Sequence, residues 1–176
     1  MFLGCSDEVS RPFVVGGCTI QLSSSVLLLG VTIDHKLTFS SHIQNICSQA
    51  NRKTNALLRI RRYVDKDRAH LLCNAYILSC FKYCPLIWMF HSKGDAKRIQ
   101  STQIRAIRAE TSDFATSSDD ILSAYNIEPI HTTNLRFMLV EVFKSINRLN
   151  PDFLWDLFLQ KNLAMSLRGG KSLKVA

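Results

Sequence analysis

Two patterns of apolar residues divide the chain. Residues 12–33 are largely apolar and β-branched, and from about residue 40 the apolar side chains recur every three to four positions. The first pattern is typical of β-strands and the second of amphipathic helices. We therefore predict a mainly α-helical fold, with a short N-terminal β-hairpin or strand element followed by a bundle of about five to six helices. The expected domains are a β element at 1–36, a helical region at 37–160 and a flexible tail at 161–176.

The β element contains two apolar stretches. Residues 13–15 and 18–22 flank Gly16-Gly17, and paired glycines supply the positive φ angles that a two-residue hairpin turn needs. Residues 26–33 form a continuous apolar run, which predicts one strand that is covered on both faces.

The first two predicted helices follow this element. Ser41, with Gln44 three residues later, fits a capping box at the start of the first helix. Its expected buried stripe consists of Ile43, Ile46, Cys47, Ala50, Thr54, Leu57 and Leu58. Asp65 is the predicted N-cap of the second helix, and Pro85 is predicted to end that helix.

The remaining predicted helices cover residues 94–110, 119–125 and 132–149, and a last one begins at Asn150-Pro151. Ser118 is the expected N-cap of the short helix at 119–125, and Asn150 that of the last helix. Trp88 and Trp155 are predicted to lie in the core.

Composition and charge add a functional hypothesis. Of the 176 residues, 47% are hydrophobic, which excludes a disordered or low-complexity chain. The formal net charge is +8, and the whole excess lies in residues 35–110, which carry fourteen bases and four acids. A localised basic surface attracts polyanions, although a basic helix face can also be a merely solvated one.

Cysteine, leader and membrane signals favour an intracellular protein with reduced thiols. The six cysteines match no familiar disulfide spacing, and the N-terminal apolar segment is too short for a signal peptide.

Residues 71–90 are apolar enough to be tested as a membrane span. Lys82 near the centre and Pro85 both argue against insertion, so a buried helix leading into a broken apolar segment is expected.

No metal or catalytic motif is evident in the sequence. His70, Cys73, Cys80 and Cys84 follow one face of the predicted second helix, so all four cannot converge on one tetrahedral zinc ion. Cys80 and Cys84 could share an ion only with ligands from elsewhere in the chain. We expect the cysteines to pack in the core. The pair Asp119-Asp120 is interpreted as acidic residues in the first turn of a helix. The chain contains no Gly-rich phosphate loop.

Several segments resemble one known family in order and spacing. They are residues 28–34 (LLGVTID), 37–39 (LTF), 42–43 (HI), 59–63 (RIRRY), 75–81 (AYILSCF), 83–88 (YCPLIW), 99–108 and 140–151. Together they resemble the reverse transcriptases of non-LTR retrotransposons, the LINE and jockey-like group, over roughly residues 12–160.

The resemblance implies that residues 12–34 end the polymerase palm and that residues 40–160 form the thumb and the helices after it. The family's catalytic signature, an aromatic residue, any residue and then Asp-Asp, is absent here. The chain is thus expected to be a truncated polymerase fragment, inactive alone and without a cofactor, because Mg²⁺ would belong to the missing palm.

A thumb implies sequence-independent binding of an RNA–DNA hybrid or another duplex. The missing palm is a further expected partner, and the expected location is the cytoplasm or nucleus. The candidate phosphate contacts are Arg52, Lys53, Arg59, Arg61, Arg62, Lys97, Arg98, Arg105 and Arg108. The alternatives are a non-enzymatic helical module that binds an acidic protein and, less favoured, a membrane-associated helical protein.

Overall fold

The N-terminal residues form two small antiparallel hairpins. The computed structural model of the protein describes residues 13–20 and 23–159, so the predicted tail at 161–176 lies outside the described residues. Strand β1 (Phe13–Val15) pairs with β2 (Cys18–Ile20) around Gly16 and Gly17, whose φ angles are +57° and +80°. The hairpin predicted at the paired glycines is confirmed.

The second hairpin corrects the prediction of a single covered strand at 26–33. Strand β3 (Ser25–Leu28) ends at a turn of Leu29 and Gly30, and β4 (Val31–Asp34) returns beside it. Leu29 is 82% exposed and Leu27 is 70% exposed. The run turns because Gly30 takes a φ of +82°, which costs glycine nothing. Among the described residues, no second layer covers the outer side of β3.

The rest of the described chain is helical, and the predicted mainly helical fold is confirmed. In chain order the elements are α1 (Ser40–Ile60), a 3₁₀ turn (Arg61–Tyr63), α2 (Lys66–Leu72), a π turn (Cys73–Ile77), a second 3₁₀ turn (Leu78–Phe81), α3 (Pro85–Trp88), α4 (Lys93–Thr111), α5 (Ile121–Ala124), α6 (Ile130–Ile146) and α7 (Asp152–Leu159). The chain divides into two compact units at the junction between Arg136 and Phe137.

The predicted second helix is interrupted, which is a further correction. Helix α2 ends at Leu72, and the following π and 3₁₀ turns carry Cys73, Ile77 and Phe81 into the core, where each is 1% exposed or less. Pro85 does not end a helix but begins α3, because its missing N–H is not needed in a first turn.

The predicted helix caps have mixed outcomes. The Asp65 carboxylate accepts a hydrogen bond from the Arg68 amide at 2.8 Å, so this N-cap is confirmed. Ser41 is not a cap, because α1 begins at Ser40 after Phe39 in a left-handed conformation. Ser118 is not a cap either, since Asp120 takes that position.

The N-cap predicted at Asn150 is not formed, because its amide donates back toward α6, to the Ser145 hydroxyl at 3.0 Å. Of the two tryptophans, Trp88 is fully buried as predicted. Trp155 is only half-buried, with the Arg148 guanidinium 5.1 Å from its ring centre.

Helices α1 and α4 run parallel and form the centre of the first unit. The Ser40 hydroxyl donates to Asp95 at 2.6 Å near the start of both helices, and Arg61 Nε donates to the Glu110 carbonyl at 2.6 Å near their ends. The core side chains between the elements include Ile43, Ala50, Leu57, Trp88, Ile99 and Ala106. The predicted α1 stripe is therefore buried, except for Leu58, which is 39% exposed.

Candidate nucleic-acid interface

Most of the predicted bases of α1 and α4 lie outside the buried faces of these helices. Arg52 and Arg59 lie roughly 160–180° around α1 from the buried Ala50, at 100° per residue. On α4, the four predicted bases fall in one sector of about 100° beside its buried face. They are Lys97, Arg98, Arg105 and Arg108.

The two sets of bases meet where Arg105 reaches across to α1. Its guanidinium donates to the Asn51 side-chain oxygen at 2.9 Å and to that of Asn55 at 2.6 Å. Asn55 lies three residues after Arg52 and four before Arg59, so all three share one face of α1. We call the combined set the α1–α4 basic surface: Arg52, Arg59, Lys97, Arg98, Arg105 and Arg108.

This surface is long enough to follow a nucleic-acid backbone. Lys97 and Arg108 are eleven residues apart on one helix, which corresponds to about 16 Å. A B-form duplex carries roughly nine phosphate charges over that distance. Several phosphates would therefore lie within reach of the side chains at once.

Three of the nine predicted contacts lie outside this surface. Lys53, on the other flank of α1, donates to the Tyr76 carbonyl at 2.8 Å and to Cys80 Sγ at 3.2 Å. Arg61 joins the ends of α1 and α4 through Glu110 and also donates to the Val64 carbonyl at 2.8 Å. Arg62 lies over the Tyr63 ring, 4.6 Å from its centre.

Within the basic surface, two further arginines are held by the protein itself. Arg98 forms an ion pair with Asp95 at 3.3 Å. Arg108 donates to the Thr116 carbonyl at 3.0 Å and to the Ser118 hydroxyl at 3.2 Å.

Asp95 remains a carboxylate and offsets the Arg98 charge. Burial alone would raise the pKa of Asp95, but hydrogen bonds from Ser40 and Ser92 and the charge of Arg98 outweigh it and lower the pKa below its ordinary value.

Within the α1–α4 basic surface, Arg52, Arg59 and Lys97 are the bases available for direct contact. All three are exposed, and none takes part in a hydrogen bond or ion pair with the part of the chain that the structure describes. An exposed base without an internal partner can bind a phosphate without first breaking a contact. This distinction among the nine bases was not visible in the sequence.

A half-open cleft of about 840 Å³ adjoins the basic surface and was missed from the sequence. Its walls are the β3–β4 hairpin, α1 and the segment around residues 79–83. The Tyr83 hydroxyl donates to the Leu29 carbonyl at 2.7 Å, and the Thr32 amide donates to Nδ1 of His42 at 3.3 Å. Burial lowers the pKa of His42, which keeps its ring neutral and Nδ1 able to accept. These bonds fix the hairpin beside α1.

The residues considered for zinc are separated from one another by their other contacts. Among the described residues, no three His, Cys, Asp or Glu side chains are placed to share a metal ion. Cys73 is buried, and burial raises the pKa of its thiol far above the ordinary value. His70 instead bonds Glu110 through Nδ1 at 2.7 Å.

Residues 71–90 were tested above as a membrane span. No helix in the described chain is long and apolar enough to span a membrane.

Comparison with known proteins supports the resemblance in its coarser form. The chain is 32% identical to the "Probable RNA-directed DNA polymerase from transposon BS" of Drosophila melanogaster in an alignment of 116 residues, which covers 60% of the chain. The chain is similar to part of a transposon RNA-directed DNA polymerase. It spans only 12% of that polymerase. No protein-family model and no solved structure matches the chain. The assignments to the thumb and to the jockey-like group stay predictions.

Proposed function

We propose that this protein is a thumb-like part of a non-LTR retrotransposon reverse transcriptase and binds template–primer nucleic acid through the α1–α4 basic surface. The observation that carries the proposal is the position of Arg52, Arg59 and Lys97. They are exposed and unpaired within the described chain, and they share one surface with Arg105. The similarity to a transposon RNA-directed DNA polymerase supports a nucleic-acid ligand.

The proposed binding is independent of sequence. Bases that contact phosphates position a protein on a duplex but do not read the nucleotides. An RNA–DNA hybrid with A-like grooves is recognised mostly by its shape and backbone. An RNA–DNA hybrid is therefore the proposed ligand, and other duplexes of similar shape are expected to compete.

The proposal assigns the polymerase chemistry to a palm outside this chain. Phosphoryl transfer needs carboxylates that hold Mg²⁺ at the reacting phosphate. The pair Asp119-Asp120 does not suit this role, because Asp120 takes the N-cap position of α5 and its carboxylate accepts from the Ser117 hydroxyl at 2.8 Å. We propose that the chain is inactive alone, acts with that palm as its partner and works inside the cell, in the cytoplasm or nucleus.

The test compares two triple variants with the same change of charge. One replaces Arg52, Arg59 and Lys97 with glutamine, and the control replaces three exposed lysines without internal side-chain partners among the described residues. The control lysines are Lys36, Lys66 and Lys82. Affinity for a 20-base-pair RNA–DNA hybrid is measured by fluorescence anisotropy between 50 and 200 mM salt.

Each lost phosphate contact should flatten the log–log salt slope by about 0.9. The magnitude of the log–log salt slope should therefore decrease by about 2.7 in the first variant and by less than one in the control. A wild-type affinity that does not change with salt would refute the proposal. Equal losses in the two variants would refute the assignment to this surface.

A further inference from the structure

The cleft beside α1 combines positive charge with unused polar groups. Its lining includes Arg52 and Lys53 but no aspartate or glutamate. Asn45, Ser48 and Gln49 also line it, and their side chains form no hydrogen bond with any described residue. The cleft therefore offers amide and hydroxyl groups, which can bond the edges of bases, next to cations that can bind phosphates.

One wall of the cleft carries an aromatic ring in a fixed position. Tyr83 is 52% exposed, and its hydroxyl is bonded to Leu29. The hairpin turn packs against the same ring, since a Cβ built on Gly30 would lie 3.5 Å from its Cε1 atom. A held ring that remains half exposed can stack against a nucleic-acid base without losing conformational freedom on binding.

Arg52 connects the cleft with the α1–α4 basic surface. It lines the cleft, and it also shares the outer face of α1 with Arg59. A strand that leaves a duplex on the basic surface can therefore enter the cleft without crossing a carboxylate in its lining. The volume of about 840 Å³ is within the range of small-molecule sites and is large enough for one or two nucleotides.

We propose that the cleft binds the unpaired, single-stranded extension of a nucleic acid whose duplex part lies on the α1–α4 basic surface. In this arrangement a base stacks on Tyr83, the amide and hydroxyl side chains bond base edges, and Arg52 and Lys53 face the phosphates. The inference rests on the proposed function for the duplex part. Binding of a free single strand in the cleft does not depend on it.

The experiment uses the full chain and three probes: a blunt 14-base-pair hybrid, the same hybrid with a four-nucleotide single-stranded extension, and a single-stranded octamer. Gln49→Trp adds a large side chain to the cleft lining from an exposed helix position. Ser123→Trp adds the same side chain at an exposed position of α5 that does not line the cleft. Tyr83→Phe and Tyr83→Ala separate the ring from its hydroxyl.

The extension should raise the affinity of the wild-type protein for the hybrid at least tenfold. Gln49→Trp and Tyr83→Ala should remove most of that gain, whereas Ser123→Trp should keep it and Tyr83→Phe should keep the larger part. Equal affinity for blunt and extended hybrids in the wild type would overturn the inference. So would an unchanged gain in Gln49→Trp.

The octamer separates this inference from the proposed function. If the blunt hybrid does not bind but the octamer does, and Gln49→Trp blocks the octamer, the duplex proposal fails and the cleft proposal stands. If the octamer binds equally well to Gln49→Trp and to the wild type, or does not bind at all, the cleft proposal fails.

Discussion

Gln103 holds the start of α6 against α4, and its replacement is the most direct test of the fold. The side chain is 2% exposed. Its amide nitrogen donates to the Glu128 carbonyl at 2.9 Å, and its oxygen accepts from the Ile130 amide at 3.2 Å. That amide is one of the first N–H groups of α6, which have no partner within their own helix. A side chain from α4 therefore caps α6.

Gln103→Leu keeps most of the volume and removes both hydrogen bonds. The Ile130 amide is then left buried without a partner, which typically costs about 1–3 kcal/mol. The Glu128 carbonyl is partly exposed and can bond water instead, so its loss should cost about 1 kcal/mol or less. We expect the free energy of unfolding to fall by roughly 2–3 kcal/mol.

This change in the free energy of unfolding is measured by urea titration. Trp88 fluorescence in a Trp155→Phe background monitors the unfolding of the first unit. With a urea dependence of about 2 kcal/mol per molar, the midpoint should fall by about 1 M. Gln100→Leu is the matched control, since Gln100 is exposed on the same helix, and it should change stability by less than about 0.5 kcal/mol. Equal midpoints for the two variants would refute the capping role.

Three further outcomes are expected. N-Ethylmaleimide should modify the exposed Cys18 long before the buried Cys73, whose thiol pKa is raised by burial, as judged by peptide mass spectrometry. Hydrogen bonds from Thr116 lower the pKa of Asp113 to about 2. The stability that this carboxylate adds is therefore present above about pH 4 and is lost as the pH falls toward 2. The difference in thermal midpoint between the wild type and Asp113→Asn should disappear over that pH interval. Gly30→Ala should lower the free energy of unfolding, measured in urea, by about 1–2 kcal/mol, because alanine is strained at a φ of +82°.

Local signals were sufficient wherever one helix or turn decides the structure. The stripe from Ile43 to Leu57 predicted the buried face of α1, because helical periodicity alone determines which side chains share a face. Gly16-Gly17 predicted the first hairpin for a similarly local reason. The Asp65 cap involves an amide only three residues away, so it too could be read from the sequence.

The errors occurred where packing between distant segments decides the structure. A continuous apolar run at 26–33 indicated one strand, and the signal overlooked was Gly30, which can turn the chain. The interruption of the second helix at Cys73 has no comparable local signal. The π and 3₁₀ turns there follow from packing against α1 and α4, since Ile77 and Phe81 are fully buried in that core.

The candidate site shows the same contrast between features that local sequence predicts and features that distant contacts decide. The sequence shows where bases are concentrated, and helical geometry assigns six of the nine to the α1–α4 basic surface. It does not show which bases the protein holds, because Arg61 and its partner Glu110 are 49 residues apart and Arg105 and Asn51 are 54 apart. The cleft was missed because its lining comes from three separated segments. The polar residues Asn45, Ser48 and Gln49 beside Arg52 were the available sequence signal.

A hydrogen bond to a neutral group fixes a basic side chain in place but does not cancel its positive charge. This difference determines how the protein should bind a polyanion. Lys53, Arg61, Arg105 and Arg108 bond to carbonyl, amide, hydroxyl or thiol groups, all uncharged, so their positive charges still act at long range. Within the described chain, Arg98 is the member of the nine that pairs with a carboxylate. The attraction that speeds association therefore depends on nearly all nine bases. Counterion release depends on direct phosphate contact, so it should follow the few bases that have no internal partner.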